Sequence, residues 1–438
     1  MSIKIAKFGG SSLADATQIR KVKAIVLSDP DRRYIIPSAP GKRSEKDQKI
    51  TDLLYLCHEH VRQGVAFGEL FAIIAERYRE IVQDLGLSLD MQPHLEEVRE
   101  NIADGATADY TASRGEYLNG IILADMLGYD FVDAAEIIHF DQRGRFDQKQ
   151  THEAIRDRLK KHERAVIPGF YGSRPDGRVK TFSRGGSDIT GAIIARGVSA
   201  DIYENWTDVD GLLMADPRII AEAKHIEKLT YRELRELAYM GATVLHDEAI
   251  FPVRQAGIPV NIRNTNSPER PGTIIVQDAA PITHKGIITG IAGRKDFTAI
   301  SIEKALMNGQ VGFARRLLEA VEKNDINFEH MPSGIDTISV IIADSELEGK
   351  LESVLEDIEH DVKPDSVEVD PDLALIATVG RGMAQTPGMA ARLFRALADA
   401  NVNIRMIDQG SSELNIIVGV NAADFELALR SIYDEFVE

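Results

Sequence analysis

Short apolar segments alternate with amphipathic segments over roughly the first 276 residues, and this alternation narrows the possible folds more than any other pattern in the chain. Segments such as IKIAKFGG, YIIPSA and IPVNIRNT are typical of strands, whereas THEAIRDRLKKHE is typical of a helix. Strands that alternate with helices form a largely parallel sheet that is covered on both faces. Ligands of such sheets bind beyond the carboxyl ends of the strands, where loops lead into helices. The pattern therefore predicts an α/β fold with its site in those loops.

An internal repeat follows, beginning near Gly286. The segment GFARRLLEAVEKNDINF starts at Gly312 and GMAARLFRALADANVNI starts at Gly388, and the two align without a gap. The same offset pairs FTAISI with LALIAT, and TISVIIAD with ELNIIVGV. The pattern of each copy predicts the order strand, helix, strand, strand, helix. Two such small units bury more apolar surface when they pack together than either buries alone. We expect an α/β region over 1–285 and repeat regions over 286–371 and 372–438.

Composition excludes several classes of protein. The formal net charge of −18 opposes general binding to nucleic acid or to anionic membranes. No window approaches the roughly 20 apolar residues that cross a bilayer, and the N-terminus MSIKIAKFGG reads as a strand and not as a signal peptide. Cys57 is the single cysteine, which is typical of a reducing compartment and predicts a cytoplasmic protein. An anionic small substrate would need a local cluster of cations and backbone N–H groups.

The segment KFGGSS is one candidate for such a cluster. Lys7 ends the first strand, and Gly9 and Gly10 follow it. Glycines let backbone N–H groups approach an anion closely, and the next helix adds the field of its N-terminus. The spacing is not that of a Walker A loop, and a single loop of this kind is more often an ordinary strand–turn–helix junction.

The segment SRGGSD is a second candidate. Arg184 can hold a carboxylate or phosphate in a bidentate manner, and two glycines follow it. Ser187 and Asp188 stand at a helix start, where capping is their commonest role, and capping is the favoured interpretation of Asp188 alone. Together, the two glycine loops could surround a polyphosphate, or a phosphate and a carboxylate.

Metal-binding motifs are not supported by the sequence. The segment TDVDGLLMADPR carries Asp208, Asp210 and Asp216, but the glutamate that completes a calcium loop is missing. The segment CHEH is too crowded on one helix for a zinc site, and no second ligand pair follows it. We therefore predict no metal ligands in the protein itself.

Several stretches together resemble aspartate kinase, a member of the amino-acid kinase superfamily. They are KFGGSS, SRGEYLNG, FSRGGSDITGAIIA, TDVDGLLMADPRI, YRELRELAYMGATVLHDEAIFPVRQAGIPVNIRNT and PERPGT, and the C-terminal repeat resembles paired ACT domains. Agreement in order and spacing covers nearly the whole chain. The resemblance implies an amino-acid kinase fold, a mainly parallel sheet between helix layers, followed by two ferredoxin-like βαββα ACT domains.

The resemblance also implies an activity: the γ-phosphoryl group of ATP, with Mg²⁺ bridging the phosphates, passes to the side-chain carboxylate of L-aspartate. The product, 4-phospho-L-aspartate, would serve lysine, threonine and methionine biosynthesis. Lys7, assisted by the N–H groups of Gly9 and Gly10, would neutralise the phosphoryl charge, and Asp188 would organise Lys7. Arg184 would hold a substrate carboxylate and Glu116 its ammonium. The implied site residues are Lys7 and Asp188 for catalysis, Thr51, Glu116, Arg184 and Ser187 for aspartate, and Lys7, Gly9, Gly10, Ser38, Thr207, Asp208, Leu213 and Arg218 for ATP.

The chain departs from the family pattern at two places. The family commonly has lysine in GAKVLH, where this chain has Thr243, so one phosphate-directed charge is missing. An additional charged stretch, GKRSEKDQK, follows IIPSAP and makes the alignment of Ser38 and Thr51 less secure. Its cations could replace the missing charge, or the stretch could be a mobile surface loop. These cations are Lys42, Arg43, Lys46 and Lys49.

Regulation is implied by the repeat. In its first copy, Met307, Gln310, Gly312 and Phe313 match a turn that lines an effector pocket in lysine-sensitive relatives, and Glu329 matches an acidic position suited to an effector ammonium. HMPSGIDT departs from the Ser/Thr-rich stretch that is usual at this place in the family. Lysine is the expected inhibitor, and threonine stays open. A homodimer or higher homo-oligomer through the ACT domains is expected, with no nucleic-acid or membrane partner.

Two alternatives remain at this stage. Another amino-acid kinase, such as one that acts on glutamate, shares the glycine loops, although SRGE and the paired repeats favour aspartate. A catalytically inactive amino-acid sensor would bind lysine or threonine without turning over ATP. Thr243 favours the sensor, whereas the presence of Lys7, Arg184 and Asp188 favours the enzyme.

Overall fold

A computed structural model describes residues 2–183, 185–242, 247–278 and 286–437 of the chain. These residues form two compact units. The first unit holds the described residues of Met1–Leu212, Glu227–Tyr231 and Val244–Pro281, and the second holds those of Leu213–Ile226, Arg232–Thr243 and Ile282–Glu438. Two stretches of the predicted α/β region thus belong to the second unit, and the predicted boundary at residue 285 lies outside the described residues.

Strands and helices alternate through most of the first unit, as the sequence predicts. The strands are β1 Lys4–Phe8, β2 Arg32–Pro37, β3 Asp130–Phe131, β4 Ala165–Val166, β5 Tyr171–Ser173, β6 Val179–Thr181, β7 Ile202–Thr207, β8 Lys228–Thr230, β9 Val260–Asn264, β10 Thr273–Val276, β11 Gly290–Glu303, β12 Thr337–Ala343, β13 Ser366–Val379, β14 Met406–Asp408 and β15 Asn415–Asn421. The helices are α1 Ala16–Leu27, α2 Ile50–Arg62, α3 Gly68–Leu85, α4 Gln92–Ala103, α5 Ala108–Leu127, α6 Gln148–Leu159, α7 Gly186–Gly197, α8 Tyr231–Tyr239, α9 Phe251–Ala256, α10 Phe313–Lys323, α11 Asp344–Leu347, α12 Leu351–Val362, α13 Met389–Asp399 and α14 Phe425–Val437.

An eight-stranded sheet organises the first unit, in the order β3-β4-β2-β1-β7-β9-β10-β8. All neighbouring strands are parallel except β9 and β10. The central strands β1 and β2 are buried almost throughout, as expected of parallel strands that are covered on both faces. Helix α5 packs against β2 and β4, and α7 packs against β1 and β7. The carboxyl ends of β1, β2 and β7 therefore meet at one edge of the sheet.

A five-stranded antiparallel sheet, in the order β12-β11-β13-β15-β14, organises the second unit. Helices α10 and α13 have the same length, and both of their bounds are separated by the predicted offset. Each is preceded by a glycine with a positive φ, 81° at Gly312 and 89° at Gly388, which is a conformation that residues with a Cβ rarely adopt. The internal repeat is therefore confirmed at its helices.

The copies differ elsewhere, so the ungapped alignment is wrong for the strands that follow the helices. Phe297 and Leu373 correspond in the two copies, and they pair with Ala343 of β12 and Asn421 of β15. Ala343 and Asn421 are therefore separated by more residues than the first residues of α10 and α13 are. The second strand of the first copy is reduced to isolated bridges at His330 and Ser333, because the intervening Pro332 cannot donate to a ladder.

The core of the second copy also includes a residue from the predicted first repeat region, 286–371. Ile291, at the start of β11, belongs to the same core cluster as Leu393 and Leu397 of α13. Strand β11 runs alongside β13 from Gly290 to Glu303, so the two long strands serve both copies. The two repeats are thus interleaved, and the segment boundary at 371/372 remains a prediction.

Within the described ranges, no helix has both the length and the apolar character needed to span a bilayer.

Candidate active site

An ion pair between Lys7 and Asp188 lies at the carboxyl end of β1. The Lys7 Nζ atom is 2.5 Å from Oδ1 of Asp188, and the two side chains are 9% and 18% exposed. Lys7 comes from the strand, and Asp188 comes from the first turn of α7. The predicted pairing of an organising carboxylate with this lysine is thus present in the geometry.

Helix α7 begins without a side-chain cap. Its cap position is Gly185, whose φ of 56° lies in the left-handed region, and no side chain accepts a capping hydrogen bond there. The interpretation of Ser187 or Asp188 as a helix cap is therefore wrong, because the carboxylate of Asp188 contacts Lys7 instead. Ser187 is buried against Gly169, where an added Cβ would lie 2.7 Å from its Oγ.

Strand β7 supplies two contacts to Asp188 that the sequence did not indicate. The side-chain amide of Asn205 donates to Oδ1 of Asp188 over 2.9 Å, and the hydroxyl of Tyr203 donates to the Asp188 carbonyl over 3.0 Å. An amide and a tyrosine in a buried strand carry no local signal of function. Only the register between β1 and β7 places them beside the ion pair.

The glycine loop after β1 differs in one respect from expectation. The N–H of Gly9 donates to the Trp206 carbonyl over 2.9 Å, so it cannot serve a phosphate and this predicted role is wrong. Among the described residues, no acceptor is found for the N–H of Gly10. A Cβ on Gly10 would lie 3.1 Å from the Ala39 carbonyl oxygen, which is a tight contact, so glycine favours the close approach of the two loops.

Glu116 is the most perturbed acid near this edge of the sheet. Burial raises its pKa to about 8, although the N–H of Ala39 donates to the carboxylate. In the part of the chain that the structure describes, its Oε2 atom has no hydrogen-bond partner. A buried carboxyl with a free oxygen is suited to receive a cationic group from a ligand, because a cation favours its ionised form.

Other predicted residues belong to the first unit as well. Ser38 follows β2 and is fixed through its backbone: its N–H donates to Phe8, and its carbonyl accepts from Asn119. Thr51 lies in the first turn of α2, whose cap residue is Lys49, so Thr51 is not the helix cap. Thr207 ends β7, and its hydroxyl donates to Asp208 over 3.1 Å.

The remaining predicted residues belong to the second unit or lie outside the described residues. Leu213 and Arg218 belong to the second unit. There Leu213 bridges to His225, and Arg218 pairs with Asp216 over 2.6 Å. Arg184 and Thr243 lie outside the described residues.

The charged stretch after Gly41 is held by a buried arginine. Arg77 of α3 is 4% exposed and contacts the Asp47 carboxylate at 2.7 Å and the Gly41 carbonyl at 3.2 Å. Arg43 pairs with Asp47 and Glu80, so its charge is already matched. These contacts do not support the alternative of a mobile loop. The exposed cations that remain candidates for phosphate are Lys42, Lys46 and Lys49.

Comparison with known proteins decides the family. The model of the amino acid kinase family matches residues 2–264, and that of an ACT domain matches residues 376–436. Aspartokinase 3 of Bacillus subtilis (strain 168) is 40% identical, with 99% of this chain and 98% of the relative covered. The chain belongs to the aspartokinases of the amino acid kinase family.

Solved structures of aspartokinases agree with this assignment. The aspartate kinase of Clostridium acetobutylicum is 57% identical and superposes with a TM-score of 0.93, and both chains are fully covered. Aspartokinase III of E. coli, 25% identical with both chains fully covered, has been solved with aspartate and ADP and with lysine and aspartate, at TM-scores of 0.74 and 0.76. The predicted fold class, an amino-acid kinase fold followed by ACT domains, is confirmed.

The predicted effector residues of this aspartokinase lie around the start of α10. Met307 and Phe313 are buried in the core of the first repeat, whereas Gln310 is exposed. Glu329 is half-buried and accepts a hydrogen bond from the hydroxyl of Tyr239, which belongs to the same unit. Partial burial, followed by this carboxylate, raises the pKa of Tyr239 to about 12. The structure thus gives the acid a partner that the sequence did not suggest.

The described ranges offer no ready-made site for a metal ion. They contain no cluster of three or more His, Cys, Asp or Glu side chains that could hold a metal ion. Asp210, from the loop that resembles part of a calcium site, accepts from Asn264 at 2.8 Å and from Arg270 at 2.6 Å. Cys57 is buried, which raises the pKa of its thiol to about 11. A cation carried by a nucleotide would need only one or two protein carboxylates.

Proposed function

We propose that this aspartokinase transfers the γ-phosphoryl group of ATP to the side-chain carboxylate of L-aspartate and forms 4-phospho-L-aspartate. The observation that carries the proposal is the ion pair of Lys7 and Asp188 at the end of β1. Support comes from relatives named aspartokinases, one of which has been solved with aspartate and ADP. The alternative of a glutamate kinase has no comparable support.

The chemistry fits these groups. A carboxylate is already a nucleophile at neutral pH, so transfer between two anions is limited by repulsion and alignment and not by deprotonation. Lys7 neutralises charge on the transferring group, while Asp188 fixes the direction of the lysine amine and does not act as a base. The N–H of Gly10, for which the described residues offer no acceptor, is a backbone donor available at this loop. Mg²⁺ carried by ATP would supply further charge neutralisation.

Recognition of aspartate rests on the proposed roles of four residues. The ammonium of aspartate pairs with Glu116, whose Oε2 atom lacks a partner among the described residues. Arg184 holds a substrate carboxylate, and Thr51 and Ser187 supply hydroxyl groups. The ATP roles of Ser38, Thr207, Asp208, Leu213 and Arg218 remain proposals as well.

Formation of an acyl phosphate is the direct test. Purified protein is incubated with Mg-ATP, hydroxylamine and either L-aspartate or L-glutamate, and the amino-acid hydroxamate is measured. Hydroxamate that forms with aspartate and not with glutamate supports the proposal. Product with glutamate alone would assign a different substrate. A folded protein that binds lysine but forms no hydroxamate would be a sensor, and Thr243→Lys would then test whether the missing cation explains it.

We further propose feedback inhibition by lysine at the first repeat. Glu329 offers a carboxylate to the effector's side-chain ammonium, and the E. coli relative has been solved with lysine. Threonine remains the alternative effector. Inhibition of hydroxamate formation by lysine, and not by equal threonine, supports the assignment, whereas the reverse order would replace lysine by threonine.

A homo-oligomer formed through the ACT repeats is proposed on exposed apolar side chains of the first repeat. Leu306, Val311 and Ile335 are 76%, 99% and 71% exposed. Light scattering after gel filtration tests this, and a monomer at working concentration would contradict it.

The single cysteine of the chain supports a reducing, cytoplasmic setting.

A further inference from the structure

We propose that Asn205 is a positioning residue for phosphoryl transfer, which acts on Lys7 through the carboxylate of Asp188. The inference rests on the proposed function, because it assigns Lys7 to the transferring phosphoryl group. Asn205 does not reach the substrates in this account. Its task is to hold the carboxylate that directs the lysine amine.

The register of the sheet carries the first part of the argument. Lys7 and Asn205 are partners across the parallel strands β1 and β7, so their side chains project from the same face of the sheet. Helix α7 packs on β1 and β7, and it brings Asp188 to both of them. Oδ1 of Asp188 accepts from the lysine amine at 2.5 Å and from the Asn205 amide at 2.9 Å.

Burial carries the second part. Asn205 is 4% exposed, and a buried amide is costly unless it is hydrogen-bonded. The amide is neutral, so it fixes the carboxylate without adding charge beside the anionic phosphates. A carboxylate that accepts from two directions cannot rotate without losing one of them. Loss of the amide would therefore let the lysine amine move away from the transferring phosphoryl group. The rate of transfer depends steeply on the position of such a group.

Tyr203 provides a matched control on the same strand. Its hydroxyl donates to the backbone carbonyl of Asp188 and not to the carboxylate, over 3.0 Å. Tyr203 also packs against Gly191 of α7, where an added Cβ would lie 2.6 Å from its ring. Removing this hydroxyl weakens the docking of α7 but leaves both contacts of the carboxylate in place. Tyr203→Phe thus separates a loss of stability from a loss of positioning.

The test compares Asn205→Leu, Asn205→Ser and Tyr203→Phe for hydroxamate formation and thermal unfolding. We expect both Asn205 variants to lose about tenfold to a hundredfold in kcat, with the KM for ATP and for aspartate within about twofold of the parent. Tyr203→Phe should lower Tm and keep kcat within about twofold. If Asn205→Leu does not fold, the smaller Asn205→Ser carries the comparison. An unchanged kcat in a folded Asn205 variant, or an equal loss in Tyr203→Phe, would overturn the proposal.

A double-variant cycle tests the route through Asp188. If Asn205 acts only by holding that carboxylate, Asn205→Leu should cost less than about twofold in an Asp188→Asn background. A full additional loss there would assign Asn205 a role independent of Asp188. The parent protein shows which of the two proposals fails. If the parent forms no hydroxamate, the proposed function is wrong. If the parent is active and the Asn205 variants are unaffected, only the positioning role of Asn205 is wrong.

Discussion

The amine of Lys7 and the carboxylate of Asp188 are 2.5 Å apart, although the two residues are distant in the sequence. The pair is largely shielded from solvent, where an opposite charge acts more strongly than in bulk water. Within the described residues, Asp188 also accepts from Asn205, so the position of the carboxylate is determined from two sides. The lysine is therefore held before any phosphate arrives, and preorganisation of this kind is the main source of rate in phosphoryl transfer.

Binding of aspartate should release a proton at neutral pH. Burial raises the pKa of Glu116 to about 8, so the free carboxyl is largely protonated at pH 7, whereas a bound ammonium favours its ionised form. Affinity should rise about tenfold per pH unit well below pH 8 and level off above it. Calorimetry at pH 7 in buffers of different ionisation enthalpy measures the released proton. Affinity that is independent of pH between about 6 and 8 would exclude this role.

The same carboxyl should make the protein less stable as the pH rises. Its pKa is about 8 in the folded chain against an ordinary 4.5, so the folded state retains a proton that the unfolded state has lost between those values. The free energy of unfolding should fall by about 2 to 3 kcal/mol from pH 6 to 9 on this account. Glu116→Gln should flatten that slope, and Glu100→Gln, on the exposed face of α4, should not. Urea titrations across this range give the comparison; parallel slopes for both variants would argue against it.

Asp47 should stabilise the loop after Gly41. Burial opposes its ionisation, but hydrogen bonds from Arg43 and the charge of Arg77 lower its pKa to about 2. The contribution is present above the ordinary pKa of 3.8 and is lost as the pH falls through about 2. Asp47→Asn should cost about 1 to 3 kcal/mol, because the buried charge of Arg77 loses the carboxylate that balances it. Glu80→Ala, which breaks the exposed contact with Arg43, should cost less than about 1 kcal/mol, and equal costs in urea unfolding would contradict the account.

Tyr239 should compete with the effector for Glu329. Its hydroxyl donates to that carboxylate, so an ammonium that binds there must displace the hydrogen bond. Tyr239→Phe should lower the lysine concentration for half-inhibition about fivefold, and Glu329→Gln should raise it more than about tenfold. Tyr433→Phe is the control, since its hydroxyl contacts the Lys224 N–H instead. Weaker inhibition of Tyr239→Phe would show that the tyrosine helps the effector to bind.

Features that depend on neighbours in sequence were predictable. Lys7 ends a short apolar strand and two glycines follow it, so its place at the edge of the sheet follows from local pattern alone. The equal helices α10 and α13, each preceded by a glycine with positive φ, follow from the repeat. Of the residues that the family resemblance suggests, Glu116 lies beside Ala39, shortly after the end of β2.

Features that depend on distant pairing were not predictable. The proposed role of Asn205 depends on the register of β7 against β1. Gly169 lies so close to Ser187 that a Cβ would clash with it, and this closeness depends on tertiary packing as well. Neither relation leaves a mark in the local sequence. Asp188 is misread as a cap for the same reason: acids favour helix starts in general, and only tertiary packing brings Lys7 within reach. The sharing of β11 and β13 between repeats likewise depends on long-range strand pairing.

Comparison of Lys7→Ala with Lys4→Ala tests the central claim most directly. Both lysines lie on β1, but Lys4 pairs with Asp29 at the opposite end of the strand. We expect Lys7→Ala to lower kcat for hydroxamate formation by about a hundredfold or more, while Lys4→Ala stays within about twofold and both variants still bind lysine. A folded Lys7→Ala protein that forms aspartyl hydroxamate at the parental rate would contradict the account.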